Sequence, residues 1–390
     1  MNPLTLHEFH QSLGAHFAEL NGEEAVDDYG DWLAEHAALQ TSAGVIDLSF
    51  RSRLCLVGAD RARFLHGQVT NDVKKLHAGE GCYAAITTAK GKMESDLNIF
   101  ALKDELLLDF EPGLTEKISQ RLEKYIVADD VQIVDAAPHY GLLSVQGPKV
   151  GDVIRAIGLF SEIPAKPLDS VKISDARLGE IYLMNQPRLC PCRSRGDETQ
   201  IKNQVKTPHV VSYNFGFDLF VPNNSLGAVA DKLIAAAKQI GGRAVGWTAF
   251  ETARIEAGIP RFGADMDGTN IPLECGIESR AIVYNKGCYI GQEVINRIHS
   301  FGHVTRELRG LRLADDLKIL PQHDDKLFYN GKEAGQVTSA VKSPLLDAGI
   351  ALGYVRREAN QTGGELMLRT AAGESPATIV ELPFVRTAPV

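Results

Sequence analysis

Lys286-Gly287-Cys288-Tyr289-Ile290-Gly291-Gln292-Glu293, continuing as VINRIHSFGHVTREL to Leu308, is the densest run of chemistry-bearing residues in the chain. Val294, Ile295 and Ile298 fall on one face of a short helix that starts near Gly291. That start puts Cys288 just ahead of a helix N-terminus with Lys286 beside it. The helix dipole and the ammonium both favour a thiolate. Glycines on either side let the backbone approach a partner closely. The alternative reading makes Cys288 a small buried hydrophobe and the glycines turn residues.

Around this run the composition is that of an ordinary globular protein. The 390 residues carry 41 Lys and Arg against 50 Asp and Glu, a net charge of −9. An acidic balance argues against broad polyanion binding, so no direct nucleic-acid partner is expected. Six cysteines are too few for a disulfide scaffold and suit a reducing compartment. Residues 1–20 hold no Lys or Arg, and no apolar run approaches a membrane span. The chain therefore reads as cytoplasmic and membrane-free. Walker, HExxH, GxSxG and zinc-spaced CxxC motifs are all missing. Gly79 to Ala84 fits G-x-G-x-x-A but leads into strand-like sequence, which fails the context of a dinucleotide fingerprint.

The pattern along the chain is mixed. Leu4, Leu6, Phe9, Leu13, Phe17 and Leu20 predict one amphipathic helix, followed by an acidic loop around Glu23–Asp31. Residues 82–112 read as a β-meander broken near Lys90-Gly91-Lys92 and Lys103-Asp104. Leu114–Val127 reads as an amphipathic helix. Thr248 and Glu251 suggest a capping box at a helix start that stops at Gly258 and Pro260. Residues 187–208 look like a polar insert carrying Cys190-Pro191-Cys192, a weak metal or redox motif. Cys275 is a candidate partner for Cys288, and Cys55 and Cys82 read as strand-buried thiols. From about Thr305 short strands take over, with Asn330-Gly331 as a hairpin signal. The expected class is α+β, with sheets covered by helices on one side and an all-β barrel module at 305–390. Residues 1–300 form an α+β region of two interleaved subdomains, with about 48–134 inserted between 1–47 and 135–300.

The run from Lys286 to Leu308 resembles the signature of the YgfZ family of folate-binding proteins. GVIDLSFRSRLCLVGADRARFLHGQVTNDV (44–73), GWTAFETARIEAGIPRFGADMDGTNIPLE (246–274) and GQVTSAVKSPLLDAGIALGYV (335–355) resemble other blocks of the same superfamily. That superfamily includes the aminomethyltransferase, or T-protein, of glycine cleavage. The resemblance implies a three-domain ring around a tetrahydrofolate cavity, with a C-terminal barrel.

It also implies site residues. Asp96 in GKMESDLNIF lies where the T-protein has an acidic pair. Asp218 in FGFDLFVP matches an acidic residue of the T-protein's GEDGFE stretch, and Arg254 in ARIEAG matches an Arg of LRLEAG. A pterin's paired N–H donors suit a carboxylate, and the anionic folate tail suits Arg. Gln292 and Glu293 of the signature join these as cofactor-binding residues. Cys288 and Lys286 are the reactive candidates, and no metal ligand set is assigned.

Three departures steer the resemblance toward the YgfZ branch. Cys288 stands where the aminomethyltransferase commonly has an acid. Tyr213-Asn214-Phe215-Gly216 lacks the Thr-Gly-Glu portion, and Ser95 precedes Asp96. The leading expectation is thus a tetrahydrofolate-binding protein that supports iron–sulfur cluster assembly or repair through client enzymes, such as those that modify tRNA. The second is an aminomethyltransferase or another folate-dependent one-carbon transferase.

Overall fold

A computed structural model describes residues 1–190 and 216–385. The chain opens with α1 (His7–Ser12), the hairpin β1 (His16–Leu20) and β2 (Glu23–Asp28), then α2 (Trp32–Thr41). This corrects the single long N-terminal helix and the acidic loop. Asn21-Gly22 holds φ of 53° and 87°, the two-residue turn geometry that folds the segment back on itself.

The chain continues through β3 (Gly44–Asp47), β4 (Ser52–Val57), α3 (Arg61–His66), β5 (Gly81–Thr87), β6 (Met93–Ala101), β7 (Glu105–Phe110), α4 (Thr115–Glu123) and β8 (Gln132–Asp135). β5-β6-β7-β4-β8 form one antiparallel sheet. Side-chain alternation divides its faces. Leu54, Leu56, Ala84, Ile86, Leu97, Ile99, Leu106, Leu108 and Phe110 pack on Phe64 and Leu65 of α3 and Ile118 and Leu122 of α4. The opposite face carries Tyr83, Asp96, Asn98 and Asp109, with Arg53 on β4 and Arg51 and Glu111 just beyond the strands.

Next come β9 (Tyr140–Gln146), α5 (Val150–Ala156), β10 (Ser170–Asp175), β11 (Gly179–Asn185), β12 (Gly216–Pro222), α6 (Leu226–Gln239), β13 (Arg243–Ala244) and α7 (Trp247–Glu256). The second sheet runs β10-β11-β12-β9-β3-β13. Val145, Leu183, Leu219 and Val221 bury one face under α5 and α6. Its other face meets the polar-bearing face of the first sheet. Phe100 and Phe220 touch edge-on there at 6.2 Å, within a shared core that also takes Ala249, Phe250 and Ala253 of α7.

α8 (Glu278–Ala281) and α9 (Gln292–Phe301) lead to a closed barrel. Its strands are β14 (Arg306–Leu313), β15 (Lys326–Tyr329), β16 (Lys332–Ser343), β17 (Ala348–Arg356), β18 (Glu365–Thr370) and β19 (Gly373–Val380). Asn330-Gly331 makes the β15–β16 turn with φ of 51° and 75°. The barrel docks on α7. No described helix is long and apolar enough to cross a membrane.

The capping box at α7 does not form. Gly246 is the N-cap and its N–H donates to Glu35, while Thr248 donates to Asp27 and Glu251 accepts from Arg254. A carboxylate from α2 thus caps α7, and Thr248 and Glu251 are free for tertiary bonds.

Candidate functional site in the polar interior

Where the two sheets face one another, an alternating file of charges is buried among apolar strands. Arg51 Nε donates to Asp109 at 2.7 Å and its Nη1 donates to Glu111. Arg261 donates to Glu111 at 3.2 Å. Arg188 spans both sheets, donating from Nη2 to Asp109 of β7 at 2.9 Å and to Asp218 of β12 at 2.6 Å. Burial disfavours the charge on Asp109, yet the guanidinium groups of Arg188 and Arg51 hold its carboxyl far below the usual range. Burial likewise opposes ionisation of Glu111, and Arg51 and Arg261 outweigh it. Arg51, Arg188 and Arg261 thus pair with Asp109, Glu111 and Asp218, which is what makes the cost of burying these six charges bearable.

Asp96 is the carboxyl left over. It forms no ion pair among the described residues, and its Oδ2 accepts from the Tyr83 hydroxyl at 2.7 Å. Burial, seconded by the nearby Glu111, pushes it up to about 6. Unlike Asp109 and Asp218, which are fully buried, Asp96 and Tyr83 are partly buried. Arg280 lies 5.0 Å above the Tyr83 ring, and Arg261 lies 5.2 Å above Trp247. A carboxyl that titrates near neutrality, beside the hydroxyl of one cation-faced aromatic ring, can exchange a proton with a planar polar ligand.

The expected residues are dispersed. Asp218 lies in the interior with its carboxylate clamped by Arg188, whose Nε also donates to both its oxygens at 3.2 and 2.9 Å. Arg254 is placed otherwise than an anionic tail would need. It is buried on α7 toward the barrel, and its guanidinium is consumed by Asp265 at 2.6 Å and Glu251 at 2.7 and 2.8 Å.

Lys286 donates to the backbone oxygens of His66, Val69 and Asn71 at 2.7, 2.7 and 2.6 Å. Burial pushes its ammonium down to about 8, which keeps it charged at neutral pH while it gathers the carbonyls beyond α3. This is anchoring, not activation of a neighbouring thiol. Cys288 is exposed, so it is not a buried hydrophobe, and it stands four residues ahead of the first residue of α9. Gln292 is half-buried and Glu293 exposed on the first turn of α9.

Cys275 is fully buried against Met93 and Tyr354, and no disulfide links it to Cys288. Cys55 and Cys82 are buried on β4 and β5 as expected. Cys192 lies outside the described residues, so the Cys190-Pro191-Cys192 motif has no structural description.

Tyr83, Arg51, Asp109, Glu111, Arg188 and Arg261 escaped the sequence reading. One signal for them existed: charges at alternate positions in strands whose other face is wholly apolar, as in ELLLDFEP.

A buried polar interior between two helix-covered sheets, with a barrel seated on the helix that closes them, defines a three-part architecture. The chain belongs to the GCVT N-terminal domain family, which matches residues 6–184 and 211–286. Residues 306–386 match the glycine cleavage T-protein C-terminal barrel domain. The aminomethyltransferase of Rubrobacter xylanophilus is 27% identical, over 98% of this chain and 93% of its own length. That of Halothermothrix orenii is 26% identical over 99% of this chain and 100% of its own. The crystal structure of glycine cleavage system aminomethyltransferase T from Bartonella henselae shares the fold, with a TM-score of 0.82 at 21% identity over 100% and 99% of the two chains.

These relatives overturn the leading expectation. Proteins matching nearly end to end are aminomethyltransferases, so the iron–sulfur assembly role drawn from the YgfZ-like signature gives way to the second reading. The three departures that favoured that role are local, whereas the match to aminomethyltransferases runs through both domains.

Proposed function

We propose that this protein is a tetrahydrofolate-dependent aminomethyltransferase or a closely related one-carbon transferase. The carrying observation is Asp96: a partly buried carboxyl without a cation partner, pushed up to about 6, in an interior where the other buried acids are neutralised. Bound tetrahydrofolate would supply the nitrogen that accepts a one-carbon unit.

The protein's own contribution is proton handling and orientation. Asp96 takes or returns a proton at its Oδ atoms near neutral pH, and the Tyr83 hydroxyl fixes the carboxyl's rotamer by donating to Oδ2. Arg188 and Arg51 hold Asp109 ionised, so Asp96 is the acid of this face that changes charge. The fit to a folate is carried by Asp96 and Tyr83; Asp218 and Arg254 are engaged within the protein. Thiols at Cys55, Cys275 and Cys288 that form no disulfide suit a cytoplasmic setting.

The test is a titration with tetrahydrofolate, paired with an aminomethyl-transfer assay using an aminomethylated lipoyl carrier. Saturable binding and turnover are expected, with turnover reduced about a hundredfold or more in Asp96→Asn. Absence of folate binding, or undiminished turnover by the variant, overturns the reading.

A further inference from the structure

The described residues hold a cavity of about 490 Å³ where the barrel meets Lys92 and Glu274. Lys92, Arg306 and Arg356 line it together with Glu274, Glu333 and Glu358, and Tyr354 is among its walls. Tyr354, Cys275 and Met93 stand side by side, all buried, and none of the residues lining the cavity belongs to the polar interior. Tyr354 donates to Cys275 at 3.2 Å, and Cys275 lies 3.8 Å from the Met93 sulfur. The two sites are thus distinct.

The feature that needs explaining is a like-charge pair. Arg306 on β14 and Arg356 on β17 are directly opposite one another in the antiparallel ladder. Two like charges at such a register position repel and destabilise a sheet. Arg306 is held in place: its Nε lies 3.4 Å from Glu274, its Nη2 donates to Thr269, and its guanidinium stacks 4.9 Å from the Tyr354 ring. Lys92 is pinned nearby, donating to the Thr269 carbonyl at 2.5 Å. Arg356 is exposed to solvent and forms no side-chain hydrogen bond or ion pair among the described residues. A cavity whose wall sets an unneutralised guanidinium beside a fixed one, with an ammonium nearby, is arranged to take an anion between them.

We propose that this junction cavity binds a small oxyanion, a carboxylate or phosphate borne by a compact ligand, between Arg306 and Arg356. The lining carboxylates Glu333 and Glu358 set its selectivity. They repel extended polyanions and admit a compact group that fits between the two guanidinium groups.

Isothermal titration at constant ionic strength, with inorganic phosphate and with glutarate as separate probes, tests the proposal and distinguishes the two sources. Saturable binding of either probe is expected. Arg356→Ala should weaken it about tenfold or more, and the Glu333→Gln, Glu358→Gln double variant should tighten it severalfold. Tighter phosphate binding assigns a phosphorylated ligand, and tighter glutarate binding a carboxylate. Failure of both probes to saturate, or equal affinity in Arg356→Ala, overturns the site. A second readout separates binding from structure. Ligand-free Arg356→Ala should melt at or above the wild-type temperature, because it relieves repulsion; a fall of several degrees makes Arg356 a structural residue and overturns the proposal. Neither readout depends on folate or on transfer activity.

Discussion

At residue scale the chemistry turns on which buried carboxyls have cations and which does not. Asp109 and Glu111 sit in ion pairs that keep them charged, whereas Asp96 has the Tyr83 phenol. The sign of the resulting pH effect follows. The folded-state pKa of Asp96 lies above the ordinary carboxyl, so its ionised form costs stability. That cost is absent below about pH 4, grows as pH rises, and is complete above about 6. Asp96→Asn should therefore raise stability at pH 7 to 8 by on the order of 1–3 kcal/mol, with the gain vanishing in acid. Chemical denaturation across pH checks this, and a gain that persists at pH 3.5 contradicts it. Lys286→Met strands three buried carbonyls and should cost about 2–4 kcal/mol, while Cys288→Ala, at an exposed thiol, should stay within about 0.5 kcal/mol. Paired melting curves of the two variants distinguish an anchoring lysine from a reactive one.

At the scale of elements, the joint before α9 decides how the signature run is presented. Gly291 caps α9 with φ of 88°, and a Cβ there would stand 2.6 Å from both the Thr87 hydroxyl and the Thr88 carbonyl. The segment is tied down as well by Thr87, which donates to the Ile290 carbonyl at 2.7 Å. Gly291→Ala should accordingly lose about 2 kcal/mol or more, with hydrogen exchange rising across residues 287–298; an unchanged exchange pattern contradicts this. The helix itself was legible, because its apolar spacing is periodic. Its consequence for Cys288 was not, because the residues between the thiol and the cap turn in a way that no periodicity encodes. The N-terminal misreading has the same root: residues 4–20 carry helical spacing, yet Gly14 and the Asn21-Gly22 turn let pairing between β1 and β2 win.

Across the whole molecule, α7 is the hub between the sheets and the barrel. Arg254 holds Asp265, which in turn accepts from Thr338 and Ser339 of β16 at 2.6 and 2.7 Å. Two residues on, Glu256 accepts from Ser343 of the same strand and lies 2.7 Å from His36 of α2. Arg254→Met should leave Asp265 buried without its cation and cost about 3–5 kcal/mol. Urea unfolding measures the loss, and increased exchange in β16 would place it at the barrel contact. A loss below 1 kcal/mol contradicts the hub role.

The chain by itself determined the class of the fold, the meander and the barrel, because those rest on local periodicity, turn residues and long recognisable blocks. It also exposed the superfamily, though the strongest motif pointed to the wrong branch of function. Only the tertiary structure decided which charges meet. Arg188 reaches Asp109 and Asp218 from 79 and 30 positions away, Arg261 reaches Glu111 from 150, and the Arg306–Arg356 pair is made by strand register. Such pairings depend on how sheets face one another and how strands align, and no spacing within one stretch of sequence can express them.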